Sequence, residues 1–306
     1  MPKRVIVVLL TAFVATFAPL LRAQTPTFRT GIDLATFGVT VVDKKGEYLT
    51  DLKAEDFEVL EDGQKQTLKY FARGTDIESG PELHVGLLFD TSGSMLDDIK
   101  LSRSAAVKFL NTLSEAKDMT LVDFDTEVRV AKYPQRDFPR MVERIRSRNP
   151  DGETALYDAM GVYLDGASED EGRKILVLYT DGGDTHSTIS FGDLMTLIRA
   201  SDVTVYSVGF LEHSRGRIEE RSHLQQIAEA TGGQAFFPTT MKDIEASYDK
   251  VVAQIRAQYS LAYTSTNTRQ DGAWRKVEIR VTRPDLKGSK ILARRGYFAP
   301  YQETKK

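Results

Sequence analysis

A doubly wound α/β fold, with a mostly parallel sheet and helices on both faces, is what this chain predicts, and three observations predict it. Between residues 81 and 258, short apolar runs alternate with amphipathic helical patterns, the signature of strands joined by crossover helices. The runs Val85-Gly86-Leu87-Leu88-Phe89 and Lys174 to Thr180 are apolar on both faces, as strands covered on both sides must be. Each run is followed at once by a carboxylate, Asp90 and Asp181, and the carboxyl edge of such a sheet is where open α/β folds bind ligands.

The elements follow in order. In the N-terminal flank, Phe37 to Val42, Phe57 to Leu60 and Thr67 to Phe71 read as strands, with turns at Lys44-Lys45-Gly46 and Asp62-Gly63. Gly74 to Gly80 is polar and bounded by glycine, hence a linker. After Val85 to Asp90 come a helix near Asp97 to Leu113, a hairpin of Met119 to Asp125 with Val128 to Tyr133, and helices near Phe138 to Arg146 and Ala155 to Ala167. Lys174 to Thr180, a helix near Phe191 to Ala200, the strand Val203 to Phe210, a helix near Glu219 to Ala230 and the short strand Ala235 to Phe237 continue the alternation. A last helix, Ile244 to Gln258, places Ile244, Tyr248, Val251, Val252 and Ile255 on one face. Beyond it Leu261 to Tyr263, Val277/Ile279/Val281 and Ile291 to Ala293 return to period two. Each β flank is too small to close a core alone, so both are expected to build one small β-sandwich into which the α/β unit is inserted.

With 306 residues, 41% hydrophobic and 28% charged, the chain is long enough for a full core. Cysteine is absent, which excludes disulfides, thiolate chemistry and cysteine-based zinc sites. Met1-Pro2-Lys3-Arg4, the apolar run Val5 to Leu21 and Leu21-Arg22-Ala23 read as a secretory signal cleaved after Ala23. An uncleaved anchor is the alternative; Pro19 within the run and Arg22 in the cleavage region favour cleavage. On either reading the folded part is exported, to the periplasm, the outer envelope or the medium, and after cleavage no membrane span is left. Loss of Lys3, Arg4 and Arg22 takes the formal charge from −3 to −6, which disfavours nucleic acid as a partner.

Asp90-Thr91-Ser92-Gly93-Ser94 gathers hard oxygen donors at a strand end, and such donors suit Mg²⁺. Alone the motif also fits a helix N-cap. Gly152-Glu153-Thr154 opens a later helix, and Thr180-Asp181-Gly182 ends the second buried strand. On these three segments the chain resembles the von Willebrand factor type A (VWA) family, whose metal-ion-dependent adhesion site uses Asp-x-Ser-x-Ser, then a Thr, then an Asp. The resemblance spans about Glu82 to Gln258 and implies a VWA/Rossmann-like fold with Asp90, Ser92, Ser94, Thr154 and Asp181 as metal ligands. It implies Mg²⁺, with Mn²⁺ able to substitute, and a protein partner that offers an Asp or Glu carboxylate to the metal. With its signal and flanks, the whole chain is similar to the exported acidobacterial VWFA-related proteins. The expected organisation is 1–23 signal peptide, 24–80 first sandwich half and linker, 81–258 VWA domain, 259–300 second sandwich half, 301–306 tail.

The function expected is an exported adhesion or assembly module, not an enzyme. A metal-assisted hydrolase at the same site and a purely structural envelope protein are the alternatives. A haloacid dehalogenase type of phosphotransferase needs Asp-x-Asp, and Ser92 takes the second position; a serine hydrolase needs a Gly-x-Ser-x-Gly elbow, which Gly93-Ser94-Met95 does not provide. His186 reads as a surface loop residue beside the metal edge, and His213 and His223 as solvent-facing. Asp184 reads as a cap or turn residue, or as a group just behind the metal ligands. Gly232-Gly233 follows a helix and is a C-cap, and the basic C-terminal stretch with Arg275, Lys276, Arg280, Arg283, Arg294 and Arg295 is mostly a solvated strand face.

Overall fold

Residues 34–302, apart from 75, 77–79, 114, 182 and 212–216, are described by the structure, a computed structural model. The expected signal at 1–23 and His213 lie outside the described residues. The N-terminal flank supplies β1 (Leu34–Val42), β2 (Phe57–Glu61), β3 (Gln64–Gln66) and β4 (Leu68–Ala72). The central stretch runs β5 (Leu83–Asp90), α1 (Ile99–Thr112), β6 (Asp118–Phe124), β7 (Val128–Pro134), α2 (Phe138–Ser147), α3 (Leu156–Ala167) and β8 (Arg173–Thr180). It continues with α4 (Phe191–Ala200), β9 (Thr204–Gly209), α5 (Arg217–Thr231), β10 (Ala235–Phe236) and α6 (Met241–Ala257). Then come β11 (Tyr259–Thr264), β12 (Trp274–Val281), β13 (Lys290–Leu292) and β14 (Gly296–Phe298).

The central sheet has the order β10-β9-β8-β5-β6-β7, parallel throughout except for the β6–β7 hairpin. All eight residues of β5 are buried, because helices cover both faces. Alternation along the strands divides two cores. Leu87, Phe89, Val177 and Tyr179 point toward α1, α2 and α6, while Leu88, Leu176 and Leu178 point toward α3, α4 and α5. The chain leaves β5 for β6 on one side and later adds β8 on the other, so the sheet's switch point falls at the carboxyl end of β5. No helix among the described residues is long and apolar enough to cross a membrane.

Both flanks build two antiparallel sheets, β13-β1-β11-β4 and β14-β12-β2-β3, and each sheet mixes strands from the two ends of the chain. Between them Phe37, Val39, Val41, Phe57, Val59, Tyr259, Leu261, Tyr263 and Val277 pack as one core. Glu61, 2% exposed, sits in this core and accepts hydroxyls from Tyr263 at 2.9 Å, Tyr297 at 2.9 Å and Ser265 at 2.6 Å.

Several elements differ from expectation, each for a local reason. Gln64–Gln66, not Thr67–Phe71, closes the Asp62-Gly63 hairpin on β2, and the next strand, β4, pairs instead with β11 in the other sheet. Helix α6 starts three residues before Ile244, because Thr240 and Asp243 form a capping box: Thr240 Oγ1 accepts the Asp243 amide at 3.2 Å and Asp243 accepts the Thr240 amide at 3.1 Å. The helix after Asp90 is preceded by a 3₁₀ turn, Gly93–Leu96, and begins only at Ile99. Gly232 does end α5, at φ 83°, with the Gly233 amide bonded to Ala228 O at 3.0 Å. Two C-terminal arginines are not solvated. Arg275 is 2% exposed and bonds Asp271 at 2.7 Å, and Arg294 lies 4.6 Å over the Phe37 ring while donating to Ser201 O and Thr36 O. Arg280 and Arg283 pair with Glu278 and Asp285 at the surface.

Candidate metal centre

Three loops meet at the carboxyl edge of the central sheet. The first follows β5, where the Thr91 amide bonds Phe124 O at 2.7 Å and fixes the chain against the end of β6. The second precedes α3 and is tied to the first by two backbone bonds, Gly93 N to Gly152 O at 3.0 Å and Asp151 N to Thr91 O at 2.9 Å. Gly152 adopts φ 74°, and a Cβ there would sit 2.5 Å from Thr126 Oγ1, so the tight turn into Thr154 needs glycine. The Thr126 hydroxyl accepts the Glu153 amide at 2.9 Å and the Asp125 carbonyl accepts the Ala155 amide at 2.8 Å, so the β6–β7 turn braces this loop. The third loop follows β8, and Thr180 Oγ1 reaches back to Asp90 Oδ2 at 2.6 Å.

Asp90 is fully buried. Its Oδ1 accepts the Ser92 amide at 2.9 Å and the Ser92 hydroxyl at 2.6 Å, and Ser92 Oγ lies 3.1 Å from Ser94 Oγ. The Ser94 hydroxyl in turn bonds Asp181. Asp90, Ser92, Ser94 and Asp181 therefore form one connected set. Thr154, 4% exposed, stands on the second loop; its backbone is held by Thr185, whose Oγ1 accepts the Thr154 amide at 2.9 Å, and its hydroxyl has no hydrogen bond among the described residues. Neither Ser92 nor Asp98 makes a side-chain cap to the helices they precede. The serines turn toward carboxylates instead of free amides, and the amide that the motif does capture, Ser92 N–H on Asp90, lies before the 3₁₀ turn.

The electrostatics of the set are dominated by burial. Burial pushes the Asp90 carboxyl up to about 7, with the neighbouring Asp181 charge adding to the effect. Burial also raises Asp181, partly offset by the Ser94 hydroxyl and the Gly183 amide. Among the described residues no Lys, Arg or His pairs with either carboxylate. Two buried carboxylates beside three hydroxyls, with no positive side chain, suit a hard divalent cation by their chemistry.

Reading the sequence missed Thr180, Thr126 and Thr185, which orient this set. Thr180 was legible as a strand-end hydroxyl beside Asp181, whereas Thr126 and Thr185 act through loops that meet only in the fold. Asp184 proves to be a cap: its Oδ1 accepts the Tyr157 amide at 3.1 Å in the first turn of α3, and the Ser187 hydroxyl at 2.6 Å. His186 is exposed and its Nδ1 lies 2.7 Å from Glu153. His223 is only partly exposed; it stacks on Phe191 at 3.8 Å and contacts the Tyr157 hydroxyl at 3.1 Å.

At the opposite edge His84, Asp118 and Asp170 also converge. There Lys132 Nζ lies 3.3 Å from Asp118 and 2.7 Å from Asp170, while His84 bonds Asp118 at 2.9 Å and Glu171 O at 3.0 Å. Lysine occupies the place a metal would need, and both ring nitrogens are engaged, so this cluster is an ion-pair network.

The model of the von Willebrand factor type A domain family matches residues 84–251. The chain belongs to that family. Its VWA domain carries the three loops just described. No curated protein matches the chain. Among solved structures, the chain resembles a D319A mutant of the PilB minor pilin from Streptococcus sanguinis at 15% identity and TM-score 0.48, over 60% of this chain and 63% of that one, less than two thirds of its length. It also resembles a von Willebrand factor type A protein from Catenulispora acidiphila at 16% identity and TM-score 0.47, over 73% of this chain and 67% of that one. The vWF domain of the type V pili tip protein Mfa5 from Porphyromonas gingivalis matches at 11% identity and TM-score 0.47, over 57% and 95%.

Proposed function

We propose that this protein is a metal-dependent protein-binding module for adhesion or assembly, in which Asp90, Ser92, Ser94, Thr154 and Asp181 hold Mg²⁺, with Mn²⁺ as a substitute. The observation that carries the reading is the convergence of two buried carboxylates with the Ser92, Ser94 and Thr180 hydroxyls at the switch point, where no basic side chain among the described residues pairs with either carboxylate. Bound there, Mg²⁺ supplies a Lewis-acidic position, and because three of the five side chains are neutral it keeps charge to attract an Asp or Glu carboxylate of a partner. Asp90, tied to Thr180 and Ser92, fixes the buried side of the site; Ser94, exposed, stands where a partner approaches.

The leader read at residues 1–23 supports export, to the periplasm, the outer envelope or the medium, and the domain limits 24–80, 81–258 and 259–300 are part of the same proposal. The test is a thermal melt in EDTA and in Mg²⁺ or Mn²⁺. Metal at about a hundred times its dissociation constant stabilises the native state by roughly 2.7 kcal/mol. A midpoint that rises in wild type and stays fixed in Asp90→Ala and Ser94→Ala supports the site; equal midpoints with and without metal would remove it. Metal-dependent capture of a carboxylate-bearing protein then tests the adhesion step.

A further inference from the structure

A second feature, lined by none of the five metal-site residues, is a groove between α1 and α2 of about 430 Å³. Arg103, Val107 and Asn111 form one row along α1, and Ser104, Lys108 and Thr112 form the row beside it, spaced by four residues so that both face the groove. Arg146 of α2 closes the other side. The lining thus holds two guanidinium groups and one ammonium, and no carboxylate, on a chain whose formal charge is −3.

The state of these cations is informative. Arg103 Nε and Nη2 are shielded from solvent and have no hydrogen-bond partner. No ion pair engages Arg103 or Arg146 among the described residues, although the neighbouring Arg144 and Arg148 both bind Asp123. Lys108 has only a half-exposed contact with Glu245 at 3.4 Å. N–H donors that have lost water without gaining an acceptor destabilise the fold, and such donors are otherwise matched in native proteins.

We propose that this groove binds a phosphate group, with Arg103 and Arg146 as the two forks and Lys108 as an accessory charge. Planar guanidinium forks match the oxygens of phosphate two at a time, and Ser104, Asn111 and Thr112 add neutral polar groups along the groove. Arg103 turns its head toward the groove to meet the ligand, exchanging an unmet buried donor for a charge-assisted bond. The volume exceeds that of a single phosphate and leaves room for the group that carries it, either a soluble ester or a lipid headgroup.

Melts in EDTA, with sodium phosphate set against sodium chloride at equal ionic strength, separate this site from the metal edge, so the two proposals stand or fall independently. The expected result is a saturable rise with phosphate that chloride does not reproduce, weakened about tenfold or more in Arg103→Gln and in Arg146→Gln. Without phosphate, Arg103→Gln melts no lower than wild type, since it removes unmet donors; a packing role for Arg103 predicts the opposite. Arg146 is exposed, so its variant carries the test even if Arg103→Gln does not fold. A rise matched by chloride, or kept in the double variant, overturns the site. Flotation with phosphatidylglycerol against phosphatidylcholine vesicles then assigns the source: retention on the former only, lost in the double variant, identifies a headgroup, and a phosphate response without retention identifies a soluble ester.

Discussion

The two ends of the central sheet each collect a pair of carboxylates, and they treat them in opposite ways. At the amino end Asp118 and Asp170 meet Lys132 and His84, so the chain itself supplies a cation to the pair. At the carboxyl end Asp90 and Asp181 meet only hydroxyls and amides. The lesson is that a carboxylate cluster says little until its cations are counted. Glu61 makes the same point from the sandwich: it is as deeply buried as Asp90, yet three hydroxyls fill its acceptors and no second carboxylate stands beside it. A site needs convergent donors whose demand the fold leaves unmet.

The largest expected effect separates the two ends directly. Asp181→Ala should abolish the metal-induced rise of about 2.7 kcal/mol, whereas Asp118→Asn should keep it in full. Differential scanning calorimetry in EDTA and Mg²⁺ reads both, and a metal response that disappears with Asp118 would reverse the assignment of the two ends.

A second effect concerns pH without metal. The Asp90 carboxyl, held at about 7 in the native state against 3.8 as its ordinary value, keeps its proton more tightly when folded. Its contribution to stability is therefore complete below 3.8 and is lost as pH rises through 7. In EDTA, stability should fall on going from pH 5 to pH 7, by up to roughly 1.4 kcal/mol per unit, and level off above 7. Asp90→Asn should flatten that slope, and urea titrations at the two pH values measure it; an equal slope in the variant would mean that other groups set it.

The smallest expected effect belongs to the neutralised end. Lys132→Met leaves Asp118 and Asp170 without their cation, but Lys132 is 45% exposed and solvent screens the loss, so about 1 kcal/mol is expected. Chemical denaturation reads it, with metal response unchanged. A loss several times larger would show that this end depends on its ion pairs far more than their exposure implies.

Much of the proposed site was legible because its residues are local events. Asp90, Ser92 and Ser94 sit within five residues at the end of an apolar strand, and Asp181 ends another, so strand-end chemistry marked them before any fold was known. The elements were legible for a similar reason: continuous apolar runs and 3.6-residue stripes are imposed by burial on each segment separately. Pairing partners were less so. Gln64–Gln66 carries no apolar signal, yet it closes the hairpin on β2, because a three-residue edge strand is held by backbone bonds and not by its side chains. His223 looked solvent-facing because its partners, Phe191 and Tyr157, are 32 and 66 residues away.

By itself the sequence determined the fold class, the strand-end carboxylates and the order of the three loops, since each follows from composition and periodicity within a short window. Only the tertiary structure decided which charges are met. Whether Lys132 reaches Asp170, whether Thr180 turns toward Asp90, and whether Arg103 finds an acceptor are contacts across tens of residues, and no local pattern encodes them. Neutralisation depends on distance in space, and packing sets that distance.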